Sequence, residues 1–363
     1  MVVGLLSASS PAFAGRAQGL RFHAQSQSWI TPDDGRLMGS APCGQSSCTT
    51  VVGTSDGGTT WKTLGTLGAP LTLEDETGVT EVVFADDLHG WAFRPALWAT
   101  TDGGATWQKQ TSPGGRPVLA LAGDADAVYA AVSACQFEQA VSDCRYRVTL
   151  WRTTPGQGSW TQVSLKLPVA NQATLAVHGR VAYLAIPTVD STAADVLDVT
   201  VDGQRWSSRP DPCSKADDEY LSSVAPISDT SVALLCQADI GFGKAGKRVV
   251  RSSDTAQTTS SAGALPLYGI VSQLAAAPDG TLLVASSSIG SWIYRNAGGE
   301  TWTTSEDLGD GGLGWNDVTF TTDNVGLVIH GPAFCCGNNG PGELWKSQDG
   351  GTTWRQSEVV PQP

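Results

Sequence analysis

One phrase, repeated at a near-constant interval, constrains this chain more than any other feature. Thr54-Ser-Asp-Gly-Gly-Thr-Thr-Trp61, Thr100-Thr-Asp-Gly-Gly-Ala-Thr-Trp107 and Ser347-Gln-Asp-Gly-Gly-Thr-Thr-Trp354 are near copies of one another. Decayed copies lie between them. The segment from Thr153 to Trp160 has Pro155 where Asp belongs, and the copy around Asp202, closing at Trp206, is one residue short. The copy around Asp254 has Thr259 in place of Trp, and the one closing at Trp302 keeps Gly-Gly without the Asp. The seven closing positions are 43 to 53 residues apart. A period of this size is one supersecondary unit stacked repeatedly, because a single unit cannot bury its own apolar face.

A second marker runs in phase. Turn signals at Asp33-Asp34-Gly35, Asp86-Asp87, Asp124–Asp126, His178-Gly179, Asp229, Asp279-Gly280 and Asp323-Asn324 each separate two β-rich runs, such as Glu81–Phe84 and Gly90–Phe93. Each repeat therefore reads strand A, turn, strand B, variable loop, strand C, Asp-Gly-Gly turn, strand D. Seven such units predict an all-β fold, a seven-bladed β-propeller of four-stranded antiparallel blades. It is expected over residues 22–363, after a leader at 1–21. Whether the leader lends a strand to blade seven stays open.

The repeated phrase has its own logic. Its Asp accepts from backbone N–H groups just ahead, Gly-Gly supplies the positive φ of a tight C–D hairpin, and the Trp returns to pack between neighbouring blades. Asp56, Gly58 and Trp61, Asp102, Gly104 and Trp107, and Asp349, Gly351 and Trp354 carry these roles, with Asp202, Trp206, Asp254 and Trp302 in the decayed copies. None of these residues is chemically reactive in that setting. The phrase resembles the Asp-box (BNR) repeat, over essentially the whole chain after residue 21. Gly90-Trp91-Ala92, followed by Leu97-Trp98 and Thr100-Thr-Asp-Gly-Gly, is most similar to the Ycf48/Hcf136-type and WD40/YVTN/BNR-like proteins of the sialidase/sortilin-like group. The resemblance implies a fold far better than an activity, since such repeats occur in sialidases, endoglucanases, sortilin-type receptors and assembly factors.

Composition narrows the partners. The 22 basic residues against 35 acidic ones leave a net charge of −13, which argues against tracking a phosphate backbone or an anionic membrane surface. No apolar run reaches the ~20 residues of a membrane-spanning helix. The eight cysteines fall into local pairs, Cys43/Cys48, Cys135/Cys144, Cys213/Cys236 and Cys335/Cys336, which read as a disulfide set formed in an oxidising compartment, with the adjacent Cys335 and Cys336 bridged to each other, paired elsewhere or left reduced. Near the start, Val2–Leu6 and Ala12-Phe13-Ala14 fit a short signal-like segment that lacks a basic n-region, as a truncated or disordered leader would. A secreted or cell-envelope location and a monomer are expected.

Topology sorts the loops into two faces. The B–C and D–A loops share an upper face that holds the variable material and every cysteine pair, and ligand sites favour such loops over a rigid scaffold. Acidic runs lie in its D–A loops: Glu74-Asp75-Glu76, Asp217-Asp218-Glu219, and Glu306-Asp307 with Asp310. They are solvated loop charge, or a carboxylate pair for glycoside hydrolysis at separations of about 5–5.5 or 6.5–9.5 Å, or a calcium site needing about six to eight oxygens. Otherwise no cofactor is expected. Phe93-Arg94-Pro95 echoes a sialidase signature, but nothing around Arg94, Arg145, Arg147, Arg248, Tyr146 or Tyr220 marks an arginine triad or a nucleophile. Gly241-Phe-Gly-Lys-Ala-Gly246 spells a phosphate-loop motif with no helix to follow, and the four histidines are scattered. The expected function is non-catalytic, presenting upper-face loops to a protein or glycan. A carbohydrate-active enzyme and an envelope or membrane-complex assembly factor are the alternatives. Ligand-contact candidates are Trp315, Phe334, Arg94, Asp217, Asp218 and Glu306.

Overall fold

The computed structural model describes residues 21–362 other than 74, 137–142, 145, 189–192, 311–313 and 332–341; for Cys135, Gln136, Asp143 and Cys144 it describes the backbone alone. Seven antiparallel four-stranded sheets follow one another along the chain. Blade one runs His23–Trp29, Gly35–Cys43, Ser46–Thr54 and Trp61–Leu67 from inside to outside. The innermost strands of the other six are Glu81–Phe84, Val118–Gly123, Thr174–His178, Tyr220–Pro226, Val271–Ala276 and Trp315–Phe320. Among the described residues the helical segments are the single turns Pro113–Gly115 and Lys215–Asp217. The seven-bladed propeller expected from the repeats is the fold observed.

The C–D turns show why the repeated phrase persists. In the first, the Asp56 carboxylate accepts from the N–H groups of Thr59 (3.0 Å) and Thr60 (2.9 Å) and the hydroxyls of Thr54 (2.8 Å) and Thr60 (2.7 Å). The Thr54 hydroxyl in turn accepts from Gly58 N–H at 3.0 Å. Asp102, Asp254 and Asp349 repeat this pattern. Hydrogen bonds from the residue four places on hold all four carboxyls down at about 2. The backbone then turns through positive φ at Gly57 (67°) and Gly58 (83°). Blade five keeps this geometry without glycine, with Thr255 at 58° and Ala256 at 61°. Blade six lacks the Asp, and Asn296 substitutes by bonding Gly298 N–H and the Gly299 and Thr301 carbonyls.

The core is seven wedges between neighbouring blades. Trp107 packs with Met38, Val51 and Phe84 between blades one and two, and Trp354 with Leu283 and Ile293 between six and seven. Nearer the axis, polar side chains stitch several inner strands to the next. The Ser28 hydroxyl accepts from Phe84 N–H (2.8 Å), Ser223 from Leu274 (3.2 Å) and the Gln273 carbonyl oxygen from Val318 (3.3 Å).

Closure comes from the C-terminus. Pro361–Gln362 adds a fifth, parallel strand to blade one, beside Trp61–Lys62. Inside, Asp317 of blade seven accepts from Gln27 N–H (2.6 Å) and the Ser26 hydroxyl (2.8 Å) of blade one. Ala24 N–H donates to Gly342 O at 3.0 Å. A β-carbon at Gly342 would lie 1.7 Å from Ala24 O, so only glycine allows this approach. The first twenty residues, named above as a possible donor of the closing strand, lie outside the described residues.

Two expectations about loops need correction. Cys43 and Cys48 sit on the ends of strands B and C of blade one, which form a tight hairpin where a long loop was expected, and their disulfide clips that hairpin. Glu306 lies within strand D of blade six (Thr303–Leu308), opposite Ile293, and not in the following loop.

Candidate functional site

The expected ligand residues scatter over the upper face. Trp315 opens the inner strand of blade seven but is 1 % exposed, enclosed by His330 (ring centroids 4.7 Å apart) and Trp345 (5.5 Å). Its burial corrects the expectation of an exposed aromatic there. Phe334, Cys335 and Cys336 lie outside the described residues, as do Glu74 and Arg145. Cys135 and Cys144 are paired along the backbone of a short hairpin in blade three. Arg94 is held by Glu81 at 2.5 Å in blade two, Arg147 donates to Leu167 O in blade three, and Arg248 pairs with Glu219 in blade five. Each of these arginines is engaged by a partner of its own.

Beside Trp315 a serine, an aspartate and a histidine do meet. Ser291 Oγ donates to Asp310 Oδ2 at 2.5 Å, and His330 Nε2 lies 2.6 Å from the same oxygen. The carboxylate occupies the middle, so the serine lacks the imidazole base that would activate it, and the order does not suit nucleophilic catalysis.

Two adjoining features on blades four to six have a more open character. The first is a hollow of about 250 Å³ between blades four and five, lined by Thr188, Lys215, Asp218, Glu219 and Tyr220 among others. Its wall is built around Asp195, whose carboxylate accepts from Leu221 N–H (2.6 Å), Thr188 N–H (2.9 Å) and the Lys215 ammonium (2.8 Å). Asp211 approaches the same ammonium at 3.7 Å and accepts from Asp195 N–H at 2.7 Å. Asp195, Asp211 and Cys213 come close enough together for a metal. However, the Cys213 sulfur is bonded to Cys236, and Lys215 supplies the cation at this spot. That disulfide ties the D–A loop, which carries Lys215, Asp218 and Glu219 of the hollow, to strand B of blade five. Asp217 and Asp218 remain exposed on the rim.

The second feature is an apolar platform that the sequence reading missed. Strands B and C of blade five, Val232–Gly241 and Lys244–Ser252, extend upward as a finger tipped by Gly241-Phe242-Gly243. This is where the phosphate-loop spelling falls, and a hairpin tip offers no helix N-terminus. Phe242 is 100 % exposed, with φ at 54°. A bulky residue in this region costs about 1–2 kcal/mol against glycine, so both its exposure and its conformation run against stability. Beside it stand Ile289 (76 % exposed), Ile240, Leu267, Tyr268 and Val271.

Three loops are joined to hold them. Gly243 O accepts from Gly269 N–H (3.2 Å) and the Ser288 hydroxyl (3.0 Å). Tyr268 stacks on Trp292 at 5.3 Å, with the Lys244 ammonium 5.6 Å over its ring. Beneath lies Lys247, 3 % exposed, donating to Tyr268 O (2.7 Å), Gly269 O (3.0 Å) and Ala245 O (3.3 Å). Burial pulls this ammonium down to about 8. Gln237 connects the two features, donating from its amide to the Tyr220 hydroxyl (2.8 Å) and to Ile270 O. A signal was present in the sequence: a Phe between glycines in a hairpin tip has no core to enter.

Near the axis, the Asp317 carboxyl is pushed up to about 6 by burial, with the Glu81 charge adding to it. It sits on the closing seam already described.

No family model matches this chain, and no curated protein matches it in sequence. Solved structures do. The chain is similar to YCF48 bound to D1 peptide, at 16 % identity over 94 % of each chain with a TM-score of 0.53. It is also similar to an α-L-arabinofuranosidase from Fusarium graminearum in complex with an iminosugar inhibitor, at 13 % identity over 91 % of this chain and 96 % of that one, with a TM-score of 0.50. At such identities the shared property is the propeller fold. Among the described residues no helix is long and apolar enough to cross a membrane.

Proposed function

We propose that this chain is a non-catalytic propeller that docks a protein partner through its upper face, with the Phe242 platform as the contact. The observation that carries the reading is an exposed apolar cluster built from three loops and held from beneath by a buried ammonium. Exposed apolar groups gathered on one face lose water only when something covers them. The rigid disc lowers the ordering cost of binding, as do the hairpin clip at Cys43–Cys48 and the loop tie at Cys213–Cys236. The repeated Asp-Gly-Gly turns act as Asp boxes, holding the scaffold while the opposite face varies. The two disulfides among the described residues fit an exported protein, and we take it to act as a monomer. The neighbour YCF48 is bound to D1 peptide, which supports the reading.

Glycoside hydrolysis is the second reading, favoured by the raised Asp317 carboxyl near Glu81. Against it stands the seam: Asp317 bonds the next blade as Ser28, Ser223 and Gln273 do, which accounts for its enclosure without chemistry.

A photo-crosslinking residue at position 242, with a control at exposed position 59 on the lower face, separates these readings in cells that make the protein. A discrete adduct from position 242 alone is expected. Sugar released from a glycan array by the purified chain, and abolished by Asp317→Asn, would replace the binding reading with a hydrolase.

A further inference from the structure

The platform and the hollow are neighbours of opposite character, and together they specify the chemistry of what binds. We infer that they receive an extended segment of a protein partner, one apolar residue lying against Phe242 and Tyr268 and a nearby Lys or Arg entering the hollow between blades four and five. This rests on the docking reading above and names its ligand class.

Charge carries the argument. Around the hollow stand five carboxylates, Asp195, Asp211, Asp217, Asp218 and Glu219, against two cations. Both cations are committed: Lys215 to Asp195 and Asp211, Arg248 to Glu219 at 2.5 Å. Three negative charges are left over, and Asp217 and Asp218 are exposed on the rim without an ion-pair partner among the described residues. At the platform itself Asp239, beside the finger's tip, and Asp307, opposite Trp292, are offset by Lys244 and Lys247, so the negative excess lies at the hollow. An apolar platform with a negative hollow to one side is complementary to an apolar anchor with a positive charge on that side.

Reach is no obstacle. Tyr220, on the wall of the hollow, and Ile270, beneath the platform, share one Gln237 amide. An extended chain advances about 3.3–3.6 Å per residue, so a few residues separate anchor and cation. The hollow's hydroxyls and carboxylates match an ammonium or guanidinium, whose donors all point outward. An anionic bilayer is the poorer occupant, since the chain carries −13 overall.

The test is selection of short random peptides on the immobilised, oxidised full-length chain, followed by affinities of the selected sequences as synthetic peptides. The expected consensus places a large apolar residue near Lys or Arg. Phe242→Ser should weaken binding about tenfold or more. Joint replacement Asp217→Asn and Asp218→Asn should weaken it about threefold to tenfold and flatten its salt dependence, with thermal denaturation unchanged in both variants. A purely apolar consensus, or one indifferent to the Asn pair, overturns the cationic part while leaving the platform standing. Selection indifferent to Phe242→Ser overturns the platform itself. Binding to phosphatidylcholine vesicles in place of peptides would assign the surface to a membrane and overturn the proposal.

Discussion

The lower and upper faces of this propeller treat their exposed groups in opposite ways. On the lower face, water-facing Asp56 has its carboxylate filled by four donors, and its Trp61 is buried at 2 % exposure. On the upper face, Phe242 is wholly exposed and held at positive φ, with a buried ammonium below it. The first region spends its side chains on stability. The second departs from stability, as a surface kept for contact would under the proposed docking. The difference teaches that in a repeat fold the informative residues are those where local rules fail, because repetition already accounts for the rest.

Substitution at the two faces should split stability from binding, most strongly at the tryptophans. Trp61→Ala removes a wedge between blades seven and one and should cost about 3–5 kcal/mol in urea unfolding. Phe242→Gly should do the reverse, raising stability by about 1 kcal/mol while abolishing peptide binding. Loss of stability from Phe242→Gly would show that the finger is structural and collapse the contrast.

Acidity offers a second contrast. The turn aspartates have pKa values lowered from 3.8 to about 2, so their contribution is present above pH 4 and is lost as pH falls towards 2. Asp317 is raised from 3.8 to about 6, so its contribution is complete below pH 4 and is lost as pH rises through 6. Unfolding free energy should therefore fall between about pH 4 and 6 by at most about 3 kcal/mol, and Asp317→Asn should remove that slope. A slope that survives in Asp317→Asn would assign it elsewhere.

Two smaller effects sharpen the picture. Lys247→Met strips three carbonyls of their donor and should cost about 1–3 kcal/mol, with faster hydrogen exchange confined to residues 265–270. Ala256→Gly restores glycine to a left-handed position in the blade-five turn and should add about 1 kcal/mol without touching binding.

The fold was legible because its information repeats. A hairpin that needs Asp, two positive-φ residues and a Trp announces itself each time, and even Asn296 in blade six can be understood as a stand-in. The site was far less legible. It is assembled from Gly241–Lys244, Leu267–Val271 and Ser288–Gly290, loops brought together by the curvature of two blades, with no spacing rule linking them. Trp315 misled because a tryptophan at a strand start reads the same whether it faces solvent or a neighbouring Trp345. Phe242 was visible as an oddity within a motif set aside for lacking a helix.

The short parallel strand at Pro361–Gln362 has a mechanical consequence. Six of the seven seams bind successive blades, whereas the seam between blades seven and one joins the two ends of the chain, with this pair of residues as its outer tie. Tension applied through the C-terminus would load that tie first, before any blade. The ring should therefore open like a clasp at the Trp61 edge, at a seam that the Phe242 finger does not touch.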